Sequence, residues 1–204
     1  MATLLFFDQD HRYTLGGEDL PSVSELCRFL SREIYGDVAQ WRLDQAADRG
    51  TAVHKATEAL DKYGKVDVQD GILPYLQAYL LFRREHPSEW QKIEYAAHHP
   101  ERKYAGTIDR YGTVDGLLSV LDIKTSYTIH RPLCAAQLNL YRWLLERNGM
   151  PVARMYILHL KKDGTYQLRP FEKDDALPDA LLTLHNALKK KARKNNARGN
   201  ETTQ

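Results

Sequence analysis

Two aspartates and a lysine in the middle of the chain are the residues whose types and spacing most directly suggest chemistry. Gly106-Thr107-Ile108-Asp109 is followed by Leu121-Asp122-Ile123-Lys124. On a β-strand the side chains alternate, so Asp122 and Lys124 share one face about 7 Å apart. Leu121 and Ile123 turn to the other face, into apolar packing. Two carboxylates able to hold a divalent cation, beside an ammonium that orients water or steadies developing negative charge, are a minimal kit for metal-assisted phosphodiester hydrolysis. A buried, unpaired Asp109 is costly, and a cation shared with Asp122 would satisfy both acids. The plainer arrangement pairs Asp109 with Arg110 and leaves Asp122 and Lys124 as an ordinary ion pair on an exposed edge. Asp-x-Lys alone is uninformative. Its coupling to the upstream Gly-Thr-Ile-Asp raises it above noise.

Two helical segments offer further groups. In Arg49-Gly50-Thr51-Ala52-Val53-His54, the glycine costs a helix about 1 kcal/mol relative to alanine, which suggests a close approach to another backbone. His54 and Glu58 are four apart and share a helix face, so both can look into one cleft. A neutral imidazole is a competent metal ligand, although a helical histidine taken alone is more often a surface or core residue. Gln137 and Tyr141 present an amide and a phenol on one face of an apolar segment. They can bond to a carboxylate, to Lys124 or to a phosphate. Alone they read as a core tyrosine with a glutamine at the solvent rim.

The elements that must position these groups follow from pattern. Leu4 to Phe7 and Arg12 to Leu15 read as a β-hairpin. Pro21-Ser22 starts a helix, with Ser22 as the cap and Glu25 three residues on. Helices are expected over about 38–63, ending at Gly64, and over 72–85, stopped by Pro87. Strands are expected over 90–97, 104–114 and 117–124, the latter two joined by the tight-turn dipeptide Asp115-Gly116. Pro132 opens an apolar helix to about Asn148. A strand pair follows at 152–160 and 166–171, then a helix over about 174–194. This order predicts an α/β fold with a central mixed β-sheet flanked by helices. The expected domain is a single one over 1–194: an N-terminal hairpin and helix (1–37), a core (38–171) and a C-terminal helix (172–194). A disordered tail is expected over 195–204.

Composition narrows the classes. The 204 residues are 43% hydrophobic and 27% charged, an ordinary soluble balance with room for one full core. The apolar runs are far too short for a bilayer, and the N-terminus lacks a basic n-region, so no signal peptide, no membrane partner and a cytoplasmic setting are expected. A net charge of +2 says little about nucleic acid. Lys189, Lys190, Lys191, Arg193, Lys194 and Arg198 crowd the C-terminal end, as a phosphate-neutralising tail or as a solvated helix end. Cys27 and Cys134 are too few and too far apart for a disulfide framework or an all-cysteine zinc site.

Gly50 to His54 (Gly-x-x-x-His), Gly106 to Asp109 (Gly-x-x-Asp), Asp122 to Lys124 (Asp-x-Lys) and Gln137 to Tyr141 (Gln-x-x-x-Tyr) occur in that order. The set, over about 49–141, resembles the RecB-like exonuclease branch of the PD-(D/E)XK nuclease superfamily. The resemblance implies a restriction-endonuclease-like core and a Mg²⁺- or Mn²⁺-dependent deoxyribonuclease, an exonuclease by analogy with small stand-alone members. It implies that His54, Asp109, Asp122 and the Ile123 carbonyl bind metal, and that Lys124 positions the attacking water. Gln137 and Tyr141 would support the site or touch DNA. Glu94 can match an acidic position of many relatives, and Glu58 is a further acid on the His54 face. Four cluster-binding cysteines found in some relatives are lacking here, so no iron–sulfur cluster is expected. Implied partners are single- or double-stranded DNA ends and a recombination, helicase or annealing protein, and relatives of this class include ring-forming homo-oligomers. The alternative is a non-catalytic DNA-binding or assembly protein that keeps the fold.

Overall fold

Asp115 and Gly116 turn the chain with φ of 51° and 77°, the two positive angles that a two-residue hairpin requires. They join strands Tyr104–Val114 and Leu117–Lys124, here β5 and β6. The computed structural model describes residues 3–7, 12–68 and 70–201, with residues 70 and 192–201 as backbone only. Within it, β5 is the second strand of a five-stranded sheet in the order β4-β5-β6-β7-β8. The others are β4 (Ser88–His99), β7 (Arg154–Leu160) and β8 (Tyr166–Phe171). All neighbours are antiparallel except β6 and β7, which run parallel. A parallel pair needs a crossover, and helix α5 (Arg131–Arg147) supplies it. The protein is therefore α/β, with a mixed sheet flanked by helices.

Before the sheet come β1 (Leu4–Phe7), β2 (Arg12–Leu15) and β3 (Glu18–Leu20), a three-stranded antiparallel sheet. Its third strand, after the Gly16-Gly17 turn, is too short to show in the hydrophobic pattern. Ser22 Oγ accepts from the Glu25 amide at 3.0 Å and caps α1 (Val23–Leu26) as expected. Next are α2 (Arg28–Tyr35), α3 (Gln40–Tyr63) and, after a short 3₁₀ turn, α4 (Leu73–Glu85). Gly64 ends α3 in the left-handed region at φ 70°, its amide bonding to Leu60. The last helix, α6, runs Ala176–Glu201, past the expected end near Lys194. Residues 202–204 of the expected tail lie outside the described residues.

Helices cover both faces of the sheet. Leu121, Ile123, Leu158 and Leu160 pack with Val53, Tyr79 and Phe82 of α3 and α4. Val120 and Ile157 pack with Leu138, Leu144 and Leu145 of α5. Each such fully buried side chain stabilises the fold by about 1.5–3 kcal/mol, enough collectively to carry several buried charges between the layers. Among the described residues no helix is long and apolar enough to cross a membrane.

Candidate metal centre

Register decides which acids meet. The β5–β6 ladder runs from Val114↔Leu117 to Arg110↔Leu121, so Asp109 and Asp122 occupy the next rung. Across β4, Glu94 stands between the pairs Ile93↔Arg110 and Tyr95↔Ile108, opposite Asp109. Three acids on three neighbouring strands thus fall on one line. Glu94 has φ 47°, a left-handed conformation rare for a non-glycine residue inside a strand. Such strain persists only where surrounding contacts hold it.

The β5–β6 ladder stops where this row begins, and the Asp109 side chain takes over the bonding. Its Oδ2 accepts the Ile123 amide at 2.7 Å. His54 comes in from α3. Its Nδ1 lies 3.5 Å from both Glu94 Oε1 and Asp109 Oδ2, while Nε2 meets the Ile123 carbonyl at 3.1 Å. Ligand atoms of His54, Glu94 and Asp109 all lie within 4.8 Å of one another, a spacing that could hold a metal ion. Asp122, 1% exposed, faces Lys124, whose Nζ is 2.7 Å from Oδ2. The approach is off-axis, and Oδ2 is buried without an aligned hydrogen bond.

Electrostatics follow from this crowding. Burial, and behind it the charge of Asp109, raise the Asp122 carboxyl against the pull of Lys124 and His54, leaving it at about 6. Asp109 is raised by burial and by Glu94, against the cations of His54 and Lys124. Burial opposes charge on His54, but Asp109, Glu94 and Asp122 together outweigh it and lift the imidazole to about 9. A proton on His54 therefore offsets part of the negative charge of the acids.

Other expected site residues are placed as follows. Gln137 Nε2 donates to Tyr141 Oη at 3.0 Å, and the negative fields of Asp122 and Asp109 reach the buried tyrosine. Glu58 is paired with Lys62 at 2.5 Å and lies outside the three-residue group. Gly106 is needed here: a Cβ would lie 2.8 Å from Val23 Cγ2 and 3.0 Å from Tyr141 Cε1. The pressure comes from side chains rather than from backbone. Gly50 is a correction, because a Cβ there would meet only Thr125 Oγ1, at 3.9 Å. Cys27 and Cys134 are buried free thiols, pushed up by burial to about 12 and about 11, so neither offers a thiolate ligand.

The sequence offers Arg110 only as a partner for Asp109. It is fully buried and organises the far side of the site. Nε meets Asp61 Oδ2 at 2.7 Å, Nη1 donates to the Asp109 carbonyl at 2.7 Å and to Glu94 Oε1 at 3.2 Å, and Nη2 donates to Thr57 Oγ1 at 3.1 Å. Asp61 also accepts from Tyr79 at 2.6 Å and from Arg83 at 3.1 Å. No local motif announces this network, because its members come from α3, α4, β4 and β5.

The solved structures that resemble the chain include two of an alkaline exonuclease. An alkaline exonuclease, LHK-Exo, in complex with dAMP is similar over 91% of this chain and 95% of that one, at 13% identity and a TM-score of 0.48. A second structure of this alkaline exonuclease, from Laribacter hongkongensis, is similar over 72% of this chain and 85% of that one, at 13% identity and a TM-score of 0.42. No protein-family model and no curated protein matches the chain.

Proposed function

We propose that this chain is a metal-dependent deoxyribonuclease of the PD-(D/E)XK type, an exonuclease acting at DNA ends in recombination, repair or replication. The observation that carries the reading is the convergence of His54, Glu94 and Asp109 within ligand distance, beside the Asp122–Lys124 pair. The donor set fits a hard divalent ion. It is rich in carboxylate oxygen with one imidazole, which suits Mg²⁺ or Mn²⁺. The buried Asp122 Oδ2, lacking an aligned hydrogen bond, is the kind of atom an added cation would satisfy.

His54, Glu94, Asp109 and Asp122 would hold the ion. The chemistry it supplies when bound is polarisation of the scissile phosphate and a lowered pKa for a coordinated water. The Ile123 carbonyl, at 3.1 Å, orients the His54 ring so that Nδ1 faces the acids, the usual outer support of a ligating histidine. Lys124, anchored on Asp122, holds the attacking water and steadies charge developing on the phosphate. With Tyr141 Oη accepting from Gln137, its own O–H is free to donate toward a carboxylate or a phosphate oxygen.

Time-resolved digestion of 5′- and 3′-labelled linear and circular DNA tests this. We expect loss of linear substrate with Mg²⁺ or Mn²⁺, none with EDTA, and circular DNA left intact. Lys124→Ala should slow cleavage about a thousandfold or more while calorimetry still detects metal uptake. Equal cleavage by Lys124→Ala and the parent would overturn the mechanism.

A further inference from the structure

We propose that the cavity beside the acid cluster, at the ends of β6 and β7, is a subsite for single-stranded nucleic acid. It would take one unpaired nucleotide next to the phosphate to be cut, with its base on Tyr127 and neighbouring phosphates on Arg49, Lys161 and Lys162. The proposal rests on the nuclease reading above and names its substrate class.

The cavity is about 390 Å³, within the range of small-molecule sites and suited to one nucleotide. It adjoins the chemistry from two sides. Thr125, on its wall, directly follows Lys124, and Arg49 precedes His54 on α3 by about 7.5 Å along the helix axis.

Its polar groups are fixed but incompletely used. Arg49 lies over the Tyr75 ring at 5.9 Å and donates from Nη2 to the Thr125 carbonyl at 3.4 Å, yet its buried Nε has no partner. His159, 5% exposed, meets the Ser126 carbonyl through Nε2 at 2.7 Å. Burial holds its pKa down, and its Nδ1 has no partner. Arg49 and His159 thus line the cavity with side chains held in place, each keeping one buried polar atom without a partner.

Charge and shape agree. The β7–β8 turn that presents Lys161 and Lys162 is closed by the Lys161 amide on Thr165 O at 2.9 Å and the Gly164 amide on Lys161 O at 3.1 Å. Asp163, the one acid on the wall, is tied to Thr165 through bonds of 2.6 and 3.0 Å. Tyr127 is fully exposed on a loop held by the His159–Ser126 bond and by Ser126 Oγ on Thr128 O at 3.0 Å. An exposed aromatic ring on a fixed loop, beside three cations, is a stacking platform for an unpaired base. In a duplex the base faces are already stacked, so the ring would gain nothing there.

Fluorescence anisotropy of the full chain in EDTA, with labelled oligo-dT, oligo-U and a blunt duplex of equal length, decides it. We expect tighter binding of a single strand than of the duplex. Tyr127→Ala should weaken the single-strand complex about tenfold and leave duplex affinity unchanged. Lys161→Ala with Lys162→Ala should lower the slope of log affinity against log salt by about 1.4. A preference between oligo-dT and oligo-U that Tyr127→Ala removes supports the subsite and shows whether it favours thymidine or uridine units. Unchanged single-strand affinity in Tyr127→Ala, or tighter binding of the duplex, would overturn it. Because no metal is present, that failure is separate from failure of the nuclease reading, which Lys124→Ala and metal calorimetry decide.

Discussion

Two charged clusters sit back to back in this protein, and they are built on opposite terms. Around Arg110, Nε, Nη1 and Nη2 all have partners, and Asp61 bonds to Arg110, Arg83 and Tyr79. A few ångströms away, His54 stands 3.5 Å from two carboxylates and Asp122 Oδ2 lacks an aligned hydrogen bond. Buried polar groups in a fold are ordinarily satisfied, so the first cluster behaves as structure. The second is left open. Glu94 belongs to both, touching Arg110 at 3.2 Å and His54 at 3.5 Å, which explains how a strained φ of 47° is held. One cluster is rigid so that the other can stay poised.

The largest effect we expect is on the satisfied side. Arg110→Met leaves the buried Asp61 with Arg83 as its remaining charge partner and takes the arginine from Glu94 as well, and breaking a buried pair from one end costs about 3–5 kcal/mol. Urea unfolding measures it. Replacing both ends, Arg110→Met with Asp61→Leu, should cost less than the single change, because the buried Asp61 carboxylate leaves with its main partner and the charges that remain, on Arg83 and Glu94, are partly exposed to water. A neutral Arg110→Met would break the distinction between the two clusters.

On the open side the sign should differ between stability and binding. Asp109→Asn keeps an oxygen able to accept the Ile123 amide, now bonded at 2.7 Å, and removes one carboxylate from a crowded buried site. Burial and Glu94 both already disfavour that charge. Unfolding stability should therefore hold or rise, whereas Mn²⁺ affinity by calorimetry should fall about tenfold or more. Loss of stability with unchanged metal affinity would make Asp109 a structural residue and merge the two clusters into one.

How far these clusters were legible in the sequence depends on what fixed them. The Asp115-Gly116 turn sets the β5–β6 register, so Asp109 beside Asp122 follows from a local signal. Alternation alone sends Asp122 and Lys124 to one face and Leu121 and Ile123 to the other, as the two apolar clusters bear out. Glu94 is different. Its place depends on a register shift between Trp90 and Lys92, accommodated by Gly112, where a Cβ would lie 2.0 Å from the Glu89 carbonyl. No pattern of polar and apolar residues encodes that bulge. Arg110's partners lie on α3 and α4, brought to it by tertiary packing alone. The five-stranded sheet was readable because its strands are long and its turns explicit; the short β3 had neither advantage.

The smallest predicted effect concerns Gly50, on α3 between the acid cluster and the cavity lined by Tyr127. Helical glycine is less stable than alanine by about 1 kcal/mol, and the only neighbour a Cβ would meet here is Thr125 Oγ1 at an ordinary 3.9 Å. Gly50→Ala should therefore raise the unfolding free energy by up to about 1 kcal/mol, measured in urea. If packing were the reason for the glycine, the substitution would destabilise instead. Should it stabilise the fold and still weaken binding of oligo-dT, the glycine keeps clear space beside Thr125 that the nucleotide needs. That result would set Gly50 with the open cluster, as a position held below its best stability for the sake of what it must admit.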